Sequence, residues 1–391
     1  MTQTAQSTPS ATGSFADNSA QPWVLAQPQI TNKQEWRAWM RRIEHPMKRP
    51  ERLTRHRLQR LSPAARDEYD LARLTYHNQF GPIRHCDFQE IHDAVLQLAE
   101  DNWLTRNPTA WSSALIDGEV SLGKTTLCLH IGHRYERTMR RRYDAVDTVR
   151  YDDYVPVIYI TLDSEVNVKG LNRQLATFYC TPPGAMCTTG DYRYLVLECA
   201  RRCGTTLIIV DDIHNLLPRL KNHAAVSGDL KRLMNELPAT FLYVGVDCTL
   251  LLNEGRPAHE LHLAQNASRV HVYSLGRYPL ATSDDRQEWA SLIATFASHI
   301  VLADPPTDLW KKHAHYLHQR TNGQMNALQL LLRGAANAAI RTGTEQINRR
   351  LLDTIKLPST AEVHAHAVGW RPQRGSRNAR IDRRSQPPSA R

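Results

Sequence analysis

Residues 114–127, ALIDGEVSLGKTTL, constrain what this chain can become more than any other stretch. A short apolar run leads into Gly118-x4-Gly123-Lys124-Thr125, the phosphate-loop (Walker A) pattern, and the helix-compatible TTLCLHIGHRYERT leads out of it. The residue types have mechanical reasons. Glycines let the backbone curl its N–H groups onto a polyphosphate, and a lysine supplies a point charge at the β- and γ-phosphates. A threonine hydroxyl faces Mg2+, and the helix that follows aims its positive end at the anion. This assigns Gly118, Glu119, Val120, Ser121, Leu122, Gly123, Lys124, Thr125 and Thr126 to a nucleotide-binding loop, with ATP and Mg2+ as the implied ligands.

Further along, apolar runs at 155–162 (VPVIYITL), 205–212 (TTLIIVDD), 240–246 (TFLYVGV) and 270–275 (VHVYSL) read as strands, several of them buried on both faces. Helix-compatible stretches at 168–178, 192–202 and about 228–236 separate them. The order of strand, loop, helix, strand, helix, strand predicts a doubly wound α/β fold with a parallel five-stranded sheet. The run ending in Asp211-Asp212 has the Walker B form, a hydrophobic strand closed by an acid. Parallel strands bring that end beside the phosphate loop, so Asp211 is placed to hold Mg2+ with Thr125. Asp212 stands where a glutamate usually polarises the attacking water, one methylene shorter. Two acids in an exposed turn are the alternative. Asp247, at the end of the next strand, fits a γ-phosphate sensor or an ordinary strand-end aspartate. Arg269, before the fifth strand, fits a guanidinium inserted into a neighbouring subunit's nucleotide or a surface ion pair.

Around this core the chain divides by composition. Residues 1–32 are rich in Ser, Thr, Gln and Ala and are expected to be disordered. Residues 33–86 form a basic helical segment in which Trp36, Trp39, Met40 and Ile43 share one helix face. That spacing favours packing on the body over stacking on bases. Ser62-Pro63 opens a further helix, and Asp87-Phe-Gln-Glu90 reads as a capping box at the start of the core, 87–276. After 276 the chain turns helical: Ser283 caps a helix bearing Trp289 and Phe296, and helices follow at 306–320, 323–340 and 344–355. This predicts a small α-helical lid over 277–357 and a disordered Arg/Pro/Ser tail over 358–391.

Charge is unevenly placed. Residues 33–60 hold ten Lys/Arg against three Glu, and 371–391 hold seven Arg against Asp382. Together these flanks exceed the whole net charge of +10, so the body between them is slightly acidic. Basic flanks suggest a polyanion, most simply double-stranded DNA; solvated, solubilising flanks are the plain alternative. No run of about 18 apolar residues and no apolar leader stretch occurs, which predicts a cytoplasmic chain without a membrane span. Seven cysteines without CxxC pairs suit reduced thiols. Cys199 and Cys203 share a helix face but lack further metal ligands at usable spacing.

Taken together, the phosphate loop, the IIVDDIHNL strand, the LPATFLYVGVD strand, the ASR before the fifth strand and the helical lid resemble an AAA+ ATPase. The likeness runs over about 31–357 and is strongest to ATP-dependent transposition regulators of the TniB/TnsC type. That resemblance implies a slow ATPase that forms homo-oligomers on DNA and regulates or targets a transposase. It places Asp212 in the catalytic-glutamate slot, Arg269 in the arginine-finger slot and Lys124 and Asp211 in the catalytic set. A helicase loader or other replication adaptor, and a nucleotide-gated scaffold with little hydrolysis, are the alternatives. Two departures bear on turnover: Asp at 212, and no sensor arginine in the lid beyond Arg333.

Overall fold

The computed structural model describes residues 29–79, 81–83, 86–105, 111–143, 153–163, 166–180, 187–216, 223–248, 269–358 and 361. Helices α1 (Lys33–Glu44), α2 (Arg55–Gln59), α3 (Pro63–Gln79) and α4 (Cys86–Thr105) precede β1 (Ser113–Gly118) and α5 (Lys124–Tyr143). Then come β2 (Val157–Thr161), α6 (Val168–Phe178), α7 (Thr189–Arg202), β3 (Leu207–Asp211), a 3-10 turn at Ile213–Leu216, α8 (His223–Glu236), β4 (Thr240–Gly245) and β5 (Val270–Leu275). Four helices close the described chain: α9 (Ser283–His299), α10 (Leu309–Thr321), α11 (Met325–Arg341) and α12 (Arg349–Thr354).

The expected sheet is there. All four pairings are parallel, in the order β2-β3-β4-β1-β5. Leu207–Asp211 and Thr240–Gly245 are buried along their whole length, as strands covered by helices on both faces must be. Edge strand β5 differs: His271, Val272 and Ser274 are exposed. Because the strands run parallel, the loop after β1 and the last residue of β3, Asp211, emerge at the same edge. That shared edge positions the site.

The basic segment splits its packing between two cores. Trp36 and Met40 of α1 join the core built on the sheet and α5. Leu74 of α3 packs instead against the lid core, whose centre is Trp289, Phe296, Leu317, Leu328 and Leu332. Asn32 caps α1 by accepting from the Gln34 and Glu35 N–H groups. Ser62 Oγ accepts from the Ala65 N–H at the start of α3, as the Ser-Pro pair predicted.

Three local expectations are corrected. The helix expected to open with a cap at Asp87 begins at Cys86, so Asp87 lies in its first turn. Thr282, not Ser283, caps α9, in a reciprocal box with Asp285. The helix expected over 344–355 is confined to Arg349–Thr354, capped by Asn348. Its lost first turn has a physical reason. Glu345 sits at φ 55° with its carboxylate held by Arg66, Arg73 and the Ala303 N–H, a conformation that no right-handed helix contains. Of the segments expected to be disordered, 1–28 of 1–32 and all but 358 and 361 of 358–391 lie outside the described residues, while Asn32 is ordered as the cap of α1. Among the described residues no helix is long and apolar enough to cross a membrane.

Candidate nucleotide site

The phosphate loop leaves β1 beside β5, and the fit there is close. A Cβ on Gly118 would stand 2.4 Å from the Leu275 carbonyl oxygen, so only glycine passes. Ser121 adopts φ 68° as the loop curls toward α5. Lys124 is buried, and its ammonium donates to the Glu119 carbonyl at 2.5 Å. Burial lowers the Lys124 pKa, against the opposing pull of Asp211. Glu119 in turn receives Arg277, whose Nε donates at 2.8 Å, so the segment entering the lid is tied to the loop.

Asp211 is held from two directions. The Tyr159 hydroxyl donates to Oδ2 at 3.0 Å and the Asp212 N–H donates to Oδ1 at 2.9 Å, with the Thr125 side chain close by. Burial raises its pKa while these bonds pull the other way. The threonine and the acid expected to share Mg2+ therefore line the same cavity close to each other. The donor set fits a hard cation: a hydroxyl and a carboxylate, with an ammonium close by and room for phosphate oxygens and water. Asp212 follows at φ 55°, partly exposed, with Oδ1 3.8 Å from His214 Nδ1.

A cavity of about 730 Å3 joins these groups. Its floor is Val120–Thr126, Asp211 and Asp212; His130, His214 and Val246 line it further. The remaining walls were not read from the sequence. Gln79 ends α3, Gly81, Pro82 and Ile83 come from the connection to α4 and Phe88 from the start of α4, and Met325, Asn326 and Gln329 come from the first two turns of α11. The Gly-Pro break between two helical stretches, and polar residues at the head of an otherwise Ala/Leu-rich helix, are the signals that could have marked them.

Gly118 and Glu119 lead into the loop without lining the cavity, and three further expected residues stand apart from it. Asp247 is exposed beyond the end of β4 at φ 53° and is not among the lining residues. Arg333 lies a turn past Gln329 on α11 and does not line it either. Arg269 is exposed and precedes β5, whose first residue pairs with Ser113 and whose last pairs with Gly118. It therefore lies at the opposite end of the sheet from the phosphate loop, roughly 17–20 Å away at strand rise. It does not meet its own chain's cavity.

The family model described as bacterial TniB protein matches residues 73–254, from within α3 through β4, and so takes in both the phosphate loop and Asp211. Over those residues the chain is similar to the TniB family. In three dimensions it is similar to the ORC2 protein of Aeropyrum pernix. Against the structure of that protein's ADPNP-ADP complexes the TM-score is 0.52 at 15% identity, covering 76% of this chain and 72% of that one. Against its ADP form the TM-score is again 0.52 at 15% identity, with 70% and 69% covered. At such identity the likeness is one of fold, and at 76% of the chain it covers more than the family match does. No curated protein matches the chain.

Proposed function

We propose that this TniB-like chain binds ATP with Mg2+ between the phosphate loop and the lid, hydrolyses it slowly, and uses the nucleotide to control assembly of its own copies on double-stranded DNA. The regulated process would be transposition, which the family match supports. One observation carries the reading. Lys124, Thr125 and Asp211 converge on a single cavity that residues of the lid also line. Lys124 would neutralise phosphate charge, Thr125 and Asp211 would hold the cation, and Asp212 would accept a hydrogen bond from water. The cation's own contribution is to draw charge from the phosphate oxygens.

Two further features support assembly and DNA. Arg269 is out of reach of its own cavity, so an arginine-finger role requires a second copy. Exposed Arg134, Arg137 and Arg141 recur on one face of α5, and Arg41 and Arg42 are exposed on α1, which crosses it. Such a surface suits phosphate contacts. A scaffold with little hydrolysis is the second reading, favoured by the short, half-exposed Asp212 at the water-polarising position.

Calorimetry and sedimentation with ATP and Mg2+ test the first claim. Wild type should bind and assemble, and Lys124→Ala should do neither. Assembly that persists with ATP in that variant would remove the switch. Phosphate release with and without duplex DNA then separates enzyme from scaffold, and an Asp212→Glu variant that turns over no faster would show that the short arm is not limiting.

A further inference from the structure

Tyr159 belongs to no phosphate-loop motif, yet it reaches the acid at the end of β3. Tyr159 and Thr161 lie on one face of β2, and the register sets Tyr159 beside Ile209 and Thr161 beside Asp211. The phenol is buried, and burial drives its pKa far above the ordinary value, so it remains a donor. It gives its proton to Asp211 Oδ2 at 3.0 Å and accepts from Thr161 Oγ1 at 3.1 Å. The hydroxyl is thereby aimed, and the carboxylate's rotation about its last bond is fixed.

Behind the phenol stands the N-terminal segment. The Trp36 ring is stacked on the Tyr159 ring, with centroids 6.3 Å apart and planes at 19°. Trp36 is 1% exposed, and its indole N–H donates at 2.5 Å to Glu136, a buried acid on α5 paired with Arg140 at 2.6 Å. Space for the indole is provided by Gly132 of α5, where a Cβ would come within 2.9 Å of the ring and 2.8 Å of Ile209. The Trp36 side chain of α1 thus enters the core between α5 and the sheet, with the Tyr159 side chain between it and Asp211. Trp39, adjacent to Trp36 at 5.1 Å, also meets His130, which lines the nucleotide cavity.

We propose that Tyr159 is a positioning residue for the cation-bearing carboxylate Asp211, and that Trp36 locks it in place, so that the seating of the basic helix α1 is read at the nucleotide site. This rests on the nucleotide reading above and assigns its regulation. A chain whose α1 is displaced by a partner, or gripped by one, would alter its cation-dependent hold on ATP without any change in the phosphate loop.

The test is ATP titration of the full chain by calorimetry, once with Mg2+ and once with EDTA. Wild type, Tyr159→Phe, Trp36→Phe and the double variant are compared. Tyr159→Phe should bind ATP in EDTA as wild type does, while its gain in affinity from Mg2+ falls about tenfold, the loss expected for a hydrogen bond to a charged group. Trp36→Phe should lose part of the same gain, and the double variant should be no worse than Tyr159→Phe alone. Thr161→Val, at a half-buried position, supplies the same comparison if Trp36→Phe does not accumulate as folded protein. An undiminished Mg2+ gain in Tyr159→Phe would overturn the proposal, as would losses in the double variant that simply add. Wild type that binds no ATP at all would instead sink the nucleotide reading, so the two failures are distinguishable.

Discussion

Helices α1 and α3 come from the same basic segment but are fastened to different cores by opposite electrostatic arrangements. On the α1 side the buried charge pair is local: Glu136 and Arg140 lie one turn apart on α5, and α1 brings the neutral Trp36 N–H to it, with the Arg37 charge nearby. On the α3 side the pair spans the chain. Arg73, fully buried on α3, donates to Glu345 of the lid at 2.8 and 2.9 Å and to Asp70 at 2.5 Å. Burial by itself would lower the Arg73 pKa, but the two carboxylates outweigh it and raise the pKa. The difference shows where each attachment is vulnerable. Removing α1's contribution leaves a charge pair intact, whereas removing α3's strips the lid's buried acid of its main partner.

The largest effect is therefore expected from Arg73→Met. Glu345 would keep Arg66 and the Ala303 N–H but lose the guanidinium that faces both of its oxygens. Breaking a buried pair from one side typically costs about 3–5 kcal/mol. The loss should be seated in the lid. In native-state hydrogen exchange, amides of α9 and α11 should lose protection while those of β1, β3 and β4 keep it. Equal loss in both sets would mean that the two cores open as one and that the comparison has no content.

Trp36→Phe is the matching change on the other side and should cost less, about 1–3 kcal/mol, for one hydrogen bond to a carboxylate that retains Arg140 plus some lost ring contact. Exchange should now quicken in α5 and β2, with the lid unchanged. A cost as large as that of Arg73→Met would show that Glu136 depends on the indole as Glu345 depends on the guanidinium.

How much of this was legible beforehand follows the range of each interaction. Local chemistry reads well. The glycines, Lys124 and Thr125 announced the loop because the motif is contiguous, and β3 announced itself by an apolar run closed by Asp211. The side of the cavity formed by Gly81, Pro82 and Ile83 could not be read, because nothing local ties a turn before α4 to the head of α11. Glu345 is a similar case. Inside a stretch of helical composition, its left-handed backbone is set by two arginines some 270 residues upstream, Arg66 and Arg73. Tyr159 looked like one more apolar position in a buried strand, since only the register with β3 brings its hydroxyl to Asp211. Asp247 does not line the cavity for the converse reason: a strand end fixes a residue's height in the sheet, not the direction it faces.

The smallest effect separates the two attachments by pH. His77 of α3 is buried against the lid; its Nε2 accepts from the Val301 N–H at 2.9 Å, and Nδ1 lies 3.3 Å from the Asn337 side-chain oxygen. Burial pushes its pKa down to about 4, helped by Arg73 and Arg49 and opposed by Asn337 and Glu345. In the unfolded chain the pKa returns to about 6.5. Between those values the unfolded state binds more protons, so stability is whole above about 6.5 and drains away as pH falls toward 4. From pH 7.5 to 5.5 the loss attributable to this one ring is about 1 kcal/mol. His133, its counterpart beside α1, has Glu44 at 3.3 Å, which opposes the lowering by burial, so the core side should respond less. Urea melts of wild type and His77→Gln at the two pH values isolate the contribution. The variant should lose less stability on acidification by that amount, with the difference appearing in lid amides. An identical pH response in both proteins would mean that the imidazole keeps its proton affinity on folding and that α3 is no more acid-sensitive than α1.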